Sequence, residues 1–351
     1  MRRLLVTGGA GFIGCNFVRY WCQRHPDDRV VVIDALTYAG HQRNLAPVAS
    51  HPGFRFVHGD VRDEEVIDGL FETEDIDTVV HLAAESHVDR SIEGPDEVVM
   101  TNILGTHTLL KIARARWLRP GAASAVRFHH VSTDEVYGSI AEGAAPATER
   151  HGYAPNSPYA ASKAAADHLV RAYSRTYGLP VTVSNCSNNY GPYQYPEKLI
   201  PVVIFNALAG RPIPLYGDGR HRRDWLFVDD HCSAIATIIE RGATGAYYNV
   251  GSGSELSNRE LVEQVCAQLD TLRPRADGGR YEDLIKRVAD RPGHDRRYAI
   301  DAGRLIRETG WTPSIGIEEG LRRTIAWYLD NAAWCEAVGA DVVSRERRGL
   351  T

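Results

Sequence analysis

The chain has 351 residues, of which 43% are hydrophobic and 24% are charged. This length exceeds the usual size of a single hydrophobic core, so we expect one large domain with a lobe, or two domains. The formal net charge is -5 at pH 7, which lacks the basic footprint of a protein that binds nucleic acid or an anionic membrane. We therefore expect neither kind of partner.

Cysteine usage and hydropathy favour an intracellular location. Six cysteines are scattered along the chain without C-x-x-C spacing, at positions 15, 22, 186, 232, 266 and 335. This pattern is typical of reduced thiols rather than of a disulfide framework. The sequence shows no signal-peptide pattern before its first strand and no apolar stretch near the ~20 residues that span a bilayer. We expect a soluble, cytoplasmic protein.

Short apolar runs alternate with amphipathic segments through the first half of the chain. This alternation predicts right-handed crossovers and a parallel sheet covered on both faces, which is the α/β class with a Rossmann-type, doubly wound sheet. Strands are predicted at 3–7, 30–34, 54–58, 78–82, 126–132 and 181–186, and helices near 12–24, 63–72, 95–117 and 158–177.

Beyond Cys186 the sequence becomes rich in proline and glycine, which predicts a smaller C-terminal lobe of loops and short elements. Runs at 224–228 and 246–250 look like strands that could return to the sheet, and helical patterns at 257–269 and 317–334 complete the lobe. The predicted division is a main domain from 1–187 and 224–252, a lobe from 188–223 and 253–335, and a tail from 336–351.

A glycine-rich loop follows the first predicted strand. Residues Gly8 to Gly14 have G-x-x-G-x-x-G spacing, which permits a tight turn, close approach to a pyrophosphate and packing of a helix on the strand. The second predicted strand ends at Asp34, about twenty residues further on, where an acid binds a ribose 2'-hydroxyl. A 2'-phosphate would meet this carboxylate, and the nearest basic residue, Arg43, lies well downstream. Asp34 therefore favours NAD over NADP; the alternative is an aspartate that only caps a loop.

Two further motifs carry candidate chemistry. Tyr159 and Lys163 lie four residues apart on a predicted helix and share one face, so the ammonium can lower the pKa of the phenol and make it a base near neutral pH. Asp134 and Glu135 follow the predicted strand 126–132, where one carboxylate can stay ionised while its charge raises the pKa of the other. The first pair suits alcohol oxidation, and the second provides an acid and a base for loss of water. The alternatives are a chance Tyr-x-x-x-Lys spacing and a solvated acidic turn.

Two other clusters have competing interpretations. Arg220, Arg222 and Arg223 form either a solvated loop or a group that binds a diphosphate. His129 and His130 lie in a predicted strand, and without a spacing such as H-E-x-x-H we interpret them as packed or hydrogen-bonded residues. We expect no metal site.

Several motifs together resemble a known family. They are Gly8 to Gly14, Asp60, Leu82 to Ser91, Ser132 to Gly138, Tyr159 to Lys163, Asn188 to Pro192, Pro196 to Pro201 and Asp290 to Asp295. These segments resemble the extended short-chain dehydrogenase/reductases, and among them the dTDP-glucose 4,6-dehydratases, from about residue 2 to about residue 330. The glycine loop is common to the superfamily, whereas Thr133-Asp134-Glu135 separates the dehydratases from the sugar epimerases. One departure is Cys15, where the family usually has a small residue such as serine.

The resemblance implies dehydration of dTDP-glucose to dTDP-4-keto-6-deoxyglucose on tightly bound NAD. Tyr159 takes the proton of the glucose 4-hydroxyl beside Thr133 while the C4 hydride passes to NAD, and Lys163 holds the nicotinamide ribose. Glu135 then removes the C5 proton, Asp134 protonates the departing 6-hydroxyl, and the hydride returns to C6. These five residues form the implied catalytic set, and no net redox occurs.

The resemblance also implies which residues bind the two ligands. For NAD they are Gly8, Gly11, Phe12, Ile13, Gly14, Asp34, Thr37, Asp60, Val61, Ala83, Ala84, Thr101, Tyr159, Lys163 and Asn189. For the nucleotide sugar they are Ser86, Thr133, Asn188, Lys198, Leu199, Pro214, Tyr216, Arg223, Asn258 and His294. For Asn258 the alternative is an ordinary helix cap.

Other functions on the same fold stay open at this point. A UDP-hexose epimerase or a GDP-mannose dehydratase would keep Tyr159 and Lys163, although Asp134 and Glu135 argue against an epimerase and Asp34 against an NADP-preferring dehydratase. A non-catalytic NAD-sensing or scaffold protein is a further alternative, because fold does not determine function. It would have little reason to keep these residues together.

The family resemblance implies a homodimer, paired through helices 95–117 and 158–177.

Discrimination of dTDP from UDP depends on contacts to a methyl group and a deoxyribose, which spacing alone does not locate. The pathway that uses the product, cell-wall rhamnose or a secondary-metabolite deoxysugar, is equally open.

Overall fold

A seven-stranded parallel sheet forms the centre of the computed structural model, which describes residues 1–121, 125–290 and 293–339. The strands in chain order are β1 (Arg3–Thr7), β2 (Arg29–Asp34), β3 (Phe54–His58), β4 (Thr78–His81), β5 (Arg127–Thr133), β6 (Val181–Cys186), β7 (Asn188–Tyr190), β8 (Ile213–Tyr216), β9 (Arg222–Phe227), β10 (Tyr247–Val250), β11 (Glu255–Ser257) and β12 (Ile285–Val288). The large sheet has the order β10-β6-β5-β4-β1-β2-β3. The predicted doubly wound order is thus present.

Helices cover both faces of this sheet and form much of the C-terminal lobe. They are α1 (Phe12–Arg24), α2 (Glu64–Thr73), α3 (Val88–Glu93), α4 (Pro95–Val98), α5 (Thr106–Trp117), α6 (Pro158–Tyr177), α7 (Leu199–Leu208), α8 (Val228–Arg241), α9 (Asn258–Leu272), α10 (Gly303–Thr309), α11 (Ile317–Asp330) and α12 (Ala332–Gly339). Successive strand residues point to opposite faces, so Leu4 joins a core with α1 and α8, and Leu5 joins one with α2, α5 and α6. The predicted Rossmann-type α/β fold is confirmed. Within the described ranges, every helix is too short or too polar to cross a membrane.

The segment predicted as one helix over 95–117 is helical but irregular. After α4, residues Val99–Gly105 form a π-helical turn that continues into α5. Asn102 lies in this turn, and its amide accepts from the Glu85 main-chain N at 2.9 Å and donates to Ser162 Oγ at 2.8 Å. Such π-turns are common at functional sites, and this one connects α6 to the loop after β4.

The C-terminal lobe has its own small sheets and core. β7, β9 and β11 form a three-stranded sheet in the order β11-β9-β7, and β8 pairs with β12. The run predicted at 224–228 therefore does not return to the large sheet, whereas the run at 246–250 does, because β10 pairs with β6. The reason lies in burial: Trp225 and Phe227 of β9 pack into the lobe's core with α7, α9 and α11.

Helix α9 begins one residue later than predicted, and its cap is Ser257 rather than Asn258. The Ser257 hydroxyl accepts from the Glu260 main-chain N at 3.2 Å, and the Glu260 carboxylate accepts from the Ser257 N at 2.7 Å. This reciprocal capping box satisfies two otherwise unpaired amides. The alternative role for Asn258 as the helix cap is therefore wrong.

The pattern predicted as one helix over 317–334 contains two helices, α11 and α12. Trp334 in α12 donates from its indole N to the Asn44 side-chain oxygen at 2.7 Å, and Val338 is buried. Residues 336–339 are thus packed helix rather than tail. The rest of the predicted tail, 340–351, lies outside the described residues.

Candidate active site

A cleft of about 330 Å³ lies at the carboxyl edge of the large sheet. Residues at or just after the ends of six neighbouring strands line it: Gly8, Asp34, Asp60, Ala83, Asp134 and Cys186. Parallel strands end at one edge, and ligands of doubly wound folds bind in the crevice there. Every residue predicted to bind NAD lines this cleft.

The glycine loop leaves no room for side chains. Gly8 has a φ of +69°, and a Cβ there would lie 2.6 Å from the Ala83 main-chain N. A Cβ on Gly14 would lie 2.7 Å from the Gly9 Cα. Main-chain amides can therefore approach a ligand closely at the start of α1, which fits a pyrophosphate.

Asp34 is hydrogen-bonded to two loops and also lines the cleft, so its role at a ribose stays a prediction. Its carboxylate accepts from the main-chain N of Ala10 at 2.9 Å and of Leu36 at 2.8 Å, so it ties the glycine loop to β2, and it also lines the cleft. Arg62, rather than Arg43, is the arginine that lines the cleft. Its guanidinium already donates to Asp60 at 2.7 and 2.9 Å, which leaves it poorly placed to neutralise a 2'-phosphate.

The two predicted carboxyl groups lie in different environments. Thr133 ends β5, and its hydroxyl accepts from the Glu135 main-chain N at 3.3 Å, which starts a 3-10 turn over Asp134–Tyr137. Asp134 is 3% exposed, and its pKa is raised well above the ordinary value, first by burial and then by the charges of Glu135 and Asp224. The predicted rise in the pKa of one carboxyl group is confirmed for Asp134, although burial contributes more to it than the charge of Glu135 does. Asp134 is therefore equipped to hold a proton.

Lys163 and Tyr159 lie together on the cleft wall. The Lys163 ammonium donates to the Val131 carbonyl at 2.8 Å, and burial lowers its pKa to about 8. Burial, followed by the charge of Glu135, raises the pKa of the Tyr159 phenol well above its ordinary value. The predicted lowering of the phenol pKa is thus wrong for the protein by itself, because burial and the nearby carboxyl groups raise it.

The residues predicted to bind substrate divide into two groups. Ser86, Thr133, Asn188 and Lys198 line the cleft, whereas Leu199, Pro214, Tyr216, Arg223, Asn258 and His294 belong to the C-terminal lobe and do not. Three of the second group surround His221. Its ring stacks on His294 with centroids 3.7 Å apart, His294 lies edge-on to Tyr216, and the Asn258 N donates to the His221 carbonyl at 2.9 Å.

Arg223 links this second group to the carboxyl groups of the cleft. It is 5% exposed, donates to the Asp295 carbonyl at 2.9 Å and lies 4.2 Å over the Tyr298 ring. Its positive charge acts to lower the pKa of Asp134, against the larger effect of burial. Of the arginine cluster, Arg220 is a solvated loop residue, while Arg223 is an interior cation.

Several lining residues escaped the sequence analysis. They are Glu85, Arg62, Cys186, Gln194, Tyr195 and Glu197. Three had a usable signal: Glu85 lies within the Leu82–Ser91 motif, Glu197 precedes Lys198 within the Pro196–Pro201 motif, and Cys186 ends a predicted strand. Glu197 lies 3.4 Å from the His87 imidazole, and burial raises the pKa of Cys186 to about 12. The others come from segments that converge only in three dimensions.

The paired histidines of β5 are packed, as predicted. His129 contacts the hydroxyls of Thr182 and Ser184 at 3.0 and 3.2 Å, and His130 is fully buried. In the described part of the chain, His221, Asp290 and His294 form the group with ligand atoms close enough for a metal, within 4.8 Å of one another. The expectation of no metal stays a prediction.

Comparisons with known proteins agree with this geometry. Residues 5–324 match the family model described as GDP-mannose 4,6 dehydratase. A dTDP-glucose 4,6-dehydratase of Xanthomonas campestris pv. campestris (strain B100) is 54% identical over 100% of both chains. The crystal structure of the dTDP-glucose 4,6-dehydratase DesIV from Streptomyces venezuelae with NAD bound is 49% identical, with a TM-score of 0.87 over 96% of this chain and 100% of that chain.

More distant structures include sugar epimerases. The UDP-glucose 4-epimerase of Thermotoga maritima is 27% identical, with a TM-score of 0.83 over 94% of this chain and 99% of that chain. The fold is therefore common to both activities, while sequence identity is much higher with the dehydratases. The chain belongs to the dTDP-glucose 4,6-dehydratases of the extended short-chain dehydrogenase/reductase family, as its motifs predicted.

Proposed function

We propose that this protein removes water from dTDP-glucose to give dTDP-4-keto-6-deoxyglucose and keeps NAD bound throughout. The observation that carries this proposal is the buried Asp134 next to Glu135, in one cleft with Tyr159 and Lys163. Oxidation at C4 needs only Tyr159 and Lys163. A second acid and base are required when a hydroxyl group must leave.

The cleft fits NAD. The main chain at Gly8, Gly11 and Gly14 would hold the pyrophosphate, Asp34 a ribose, and Lys163 the nicotinamide ribose. When bound, NAD supplies the hydride acceptor and a positive charge on the nicotinamide ring. Positive charge beside Tyr159 would oppose the burial that raises the pKa of the phenol.

In the first stage Tyr159 accepts the proton of the 4-hydroxyl, while the Thr133 hydroxyl donates a hydrogen bond to the 4-oxygen. The C4 ketone then acidifies the C5 hydrogen. In the second stage Glu135 removes the C5 proton, and Asp134 gives its proton to the 6-hydroxyl, which leaves as water. The C4 hydride would pass to bound NAD in the first stage and would return to C6 in the second, and Glu135 finally returns a proton to C5. The proton that Tyr159 took replaces the one that Asp134 gave, so the product differs from the substrate by one water.

Substrate contacts would come from both groups of residues. Ser86, Asn188 and Lys198 line the cleft beside the catalytic residues and would hold the sugar. Arg223 provides a cation for the diphosphate, and the remaining predicted contacts would lie along the nucleotide: Leu199, Pro214, Tyr216, Asn258 and His294. In this proposal 1–187 and 224–252 bind NAD, whereas 188–223 and 253–335 bind the nucleotide sugar. The exception is β9, which carries Arg223 and lies wholly in the sheet and core of the lobe.

The protein is proposed to be a homodimer. The α3 to π-helical region exposes four large apolar side chains, Ile92, Val99, Met100 and Leu104, each 42% to 45% exposed. Exposed apolar side chains on a helical surface favour a protein partner, and the implied pairing helix 95–117 includes three of them: Val99, Met100 and Leu104. The six cysteines are free thiols, which supports a reducing, cytoplasmic location.

The function is tested by incubating the purified protein, without added NAD, with dTDP-glucose, UDP-glucose and GDP-mannose in separate reactions. Loss of one water from dTDP-glucose alone, followed by mass spectrometry, is the expected result. Tyr159→Phe serves as the inactive control. Unchanged mass in every reaction, even after NAD is added, would contradict the dehydratase proposal.

A further inference from the structure

Asp167 lies one helical turn beyond Lys163 on α6, so the two side chains share a helix face. It is a fully buried carboxyl group, with 0% of its surface exposed. A charge in such a place persists only when specific partners stabilise it. The proposed chemical steps do not use this residue.

Three donors converge on one oxygen of Asp167. Its Oδ2 accepts from Ser132 Oγ at 3.0 Å, Tyr153 OH at 2.8 Å and Asn185 Nδ2 at 3.2 Å. Ser132 lies on β5, Asn185 on β6 and Tyr153 on the loop before α6. Burial raises the pKa of Asp167, and the charge of Lys163 and the hydrogen bonds from Ser132, Tyr153 and Asn185 oppose that rise. Hydrogen bonds donated to a carboxylate favour its ionised form, so the packing of three segments supports a negative charge here.

Lys163 is held against the same strand. Its ammonium donates to the carbonyl of Val131 at 2.8 Å, the residue next to Ser132. Burial lowers the pKa of Lys163 to about 8, and the charge of Asp167 opposes this lowering. The lysine and the aspartate together anchor the end of β5 that continues into Thr133 and Asp134.

Burial favours the neutral form of the histidines, phenols and thiol that pack around this pair. The His130 Nε2 lies 3.3 Å from Asp167 Oδ1, and burial, followed by the charge of Lys163, holds the pKa of His130 well below its ordinary value. Burial also lowers the pKa of His81 and raises the pKa of the facing phenols and thiol: Tyr153, Tyr247 and Cys186. Of these neighbours, Asp167 is therefore the one that offsets the desolvation of Lys163 at neutral pH.

We propose that Asp167 is a positioning residue that keeps Lys163 in its ammonium form and, through Ser132, holds the end of β5 beside Tyr159. This inference rests on the proposed function, because the ammonium matters through its action on Tyr159 and NAD. It assigns a buried residue outside the cleft to the catalytic cycle.

The test is the pH dependence of kcat for dTDP-glucose in Asp167→Asn, a substitution that removes the charge and nearly preserves the shape. Without the carboxylate the pKa of Lys163 falls, so the alkaline limb of the profile should move to lower pH by about one to three units. Activity would then fall more at pH 8 than at pH 6. A uniform loss of kcat with an unmoved alkaline limb would overturn the proposal.

Ser132→Ala is the matched control, because it removes one hydrogen bond to Asp167 and keeps the charge. The alkaline limb of its pH profile should coincide with that of the wild type, even if the maximal kcat changes. An equal shift in both variants would show that disturbed packing, rather than lost charge, moves the limb.

A second variant covers the case in which Asp167→Asn does not fold. Tyr153→Phe removes a donor to the carboxylate, so the pKa of Asp167 rises and the acidic limb should move to higher pH. An unmoved acidic limb would contradict the role assigned to Asp167. Absence of turnover in the wild type would instead contradict the proposed function, so the two failures are distinguishable.

Discussion

Asp134 and Glu135 are neighbours in sequence but not in environment: Asp134 is 3% exposed, whereas Glu135 is half-buried at the cleft wall. A proton is therefore retained more readily on Asp134. The asymmetry supports the proposed acid role of Asp134 and the proposed base role of Glu135.

Substitution of the two carboxyl groups should stop the reaction at different stages. In deuterated water, Glu135→Gln should abolish incorporation of deuterium at C5, because C5 is no longer deprotonated. Asp134→Asn should still incorporate deuterium into recovered substrate but lose water slowly. Each change should lower turnover by about 10²- to 10⁴-fold, measured by mass spectrometry of the nucleotide sugars. The same labelling pattern in both variants would refute the division of roles.

The raised pKa of Asp134 also predicts a pH-dependent difference in stability. The folded protein holds this proton above the ordinary value of 3.8, so the wild type loses stability as pH rises through the window between the unfolded and folded pKa values. The Asp134→Asn variant has no carboxyl group at this position, so its stability does not fall in this way as pH rises. Its free energy of unfolding relative to the wild type should therefore increase as pH rises from about 4, measured by urea unfolding at several pH values. A difference that is flat with pH would show that Asp134 is not desolvated.

Two glycine substitutions should distinguish an effect on NAD binding at the glycine loop from an effect on the stability of the fold. Gly14→Ala places a Cβ 2.7 Å from the Gly9 Cα, so it should displace the glycine loop and reduce the NAD retained by the purified protein. Gly69→Ala is the control, because it lies inside α2 with no atom within 4 Å of the added Cβ. It should leave NAD content unchanged and raise stability by about 0.5–1 kcal/mol. Equal NAD content in Gly14→Ala and the wild type would argue against a pyrophosphate at this loop.

The proposed dimer depends on an apolar patch that includes Leu104, which is 44% exposed. Leu104→Glu places a charge within the proposed interface, so it should shift the protein toward the monomer in light scattering coupled to size-exclusion chromatography. Ile306→Glu, at a 39% exposed site on α10, is the matched control and should leave the mass unchanged. A dimer that survives Leu104→Glu would place the interface elsewhere.

Local patterns determined much of this protein from the sequence alone. The alternation of buried strands and amphipathic helices, the G-x-x-G-x-x-G loop and the four-residue spacing of Tyr159 and Lys163 all depend on short-range geometry, so each predicts structure without knowledge of distant residues. The positions of the catalytic motifs at strand ends follow for the same reason.

Only the tertiary structure decided the properties that depend on residues brought together from far apart. Desolvation raises the pKa of Tyr159 against the effect expected from Lys163. The charge of Arg223 acts on Asp134 although β9 lies some ninety residues beyond β5. β9 pairs in the lobe rather than in the large sheet because its aromatic side chains find a core there. Burial and long-range strand pairing depend on residues from the whole fold, so the spacing of residues within one segment does not determine them.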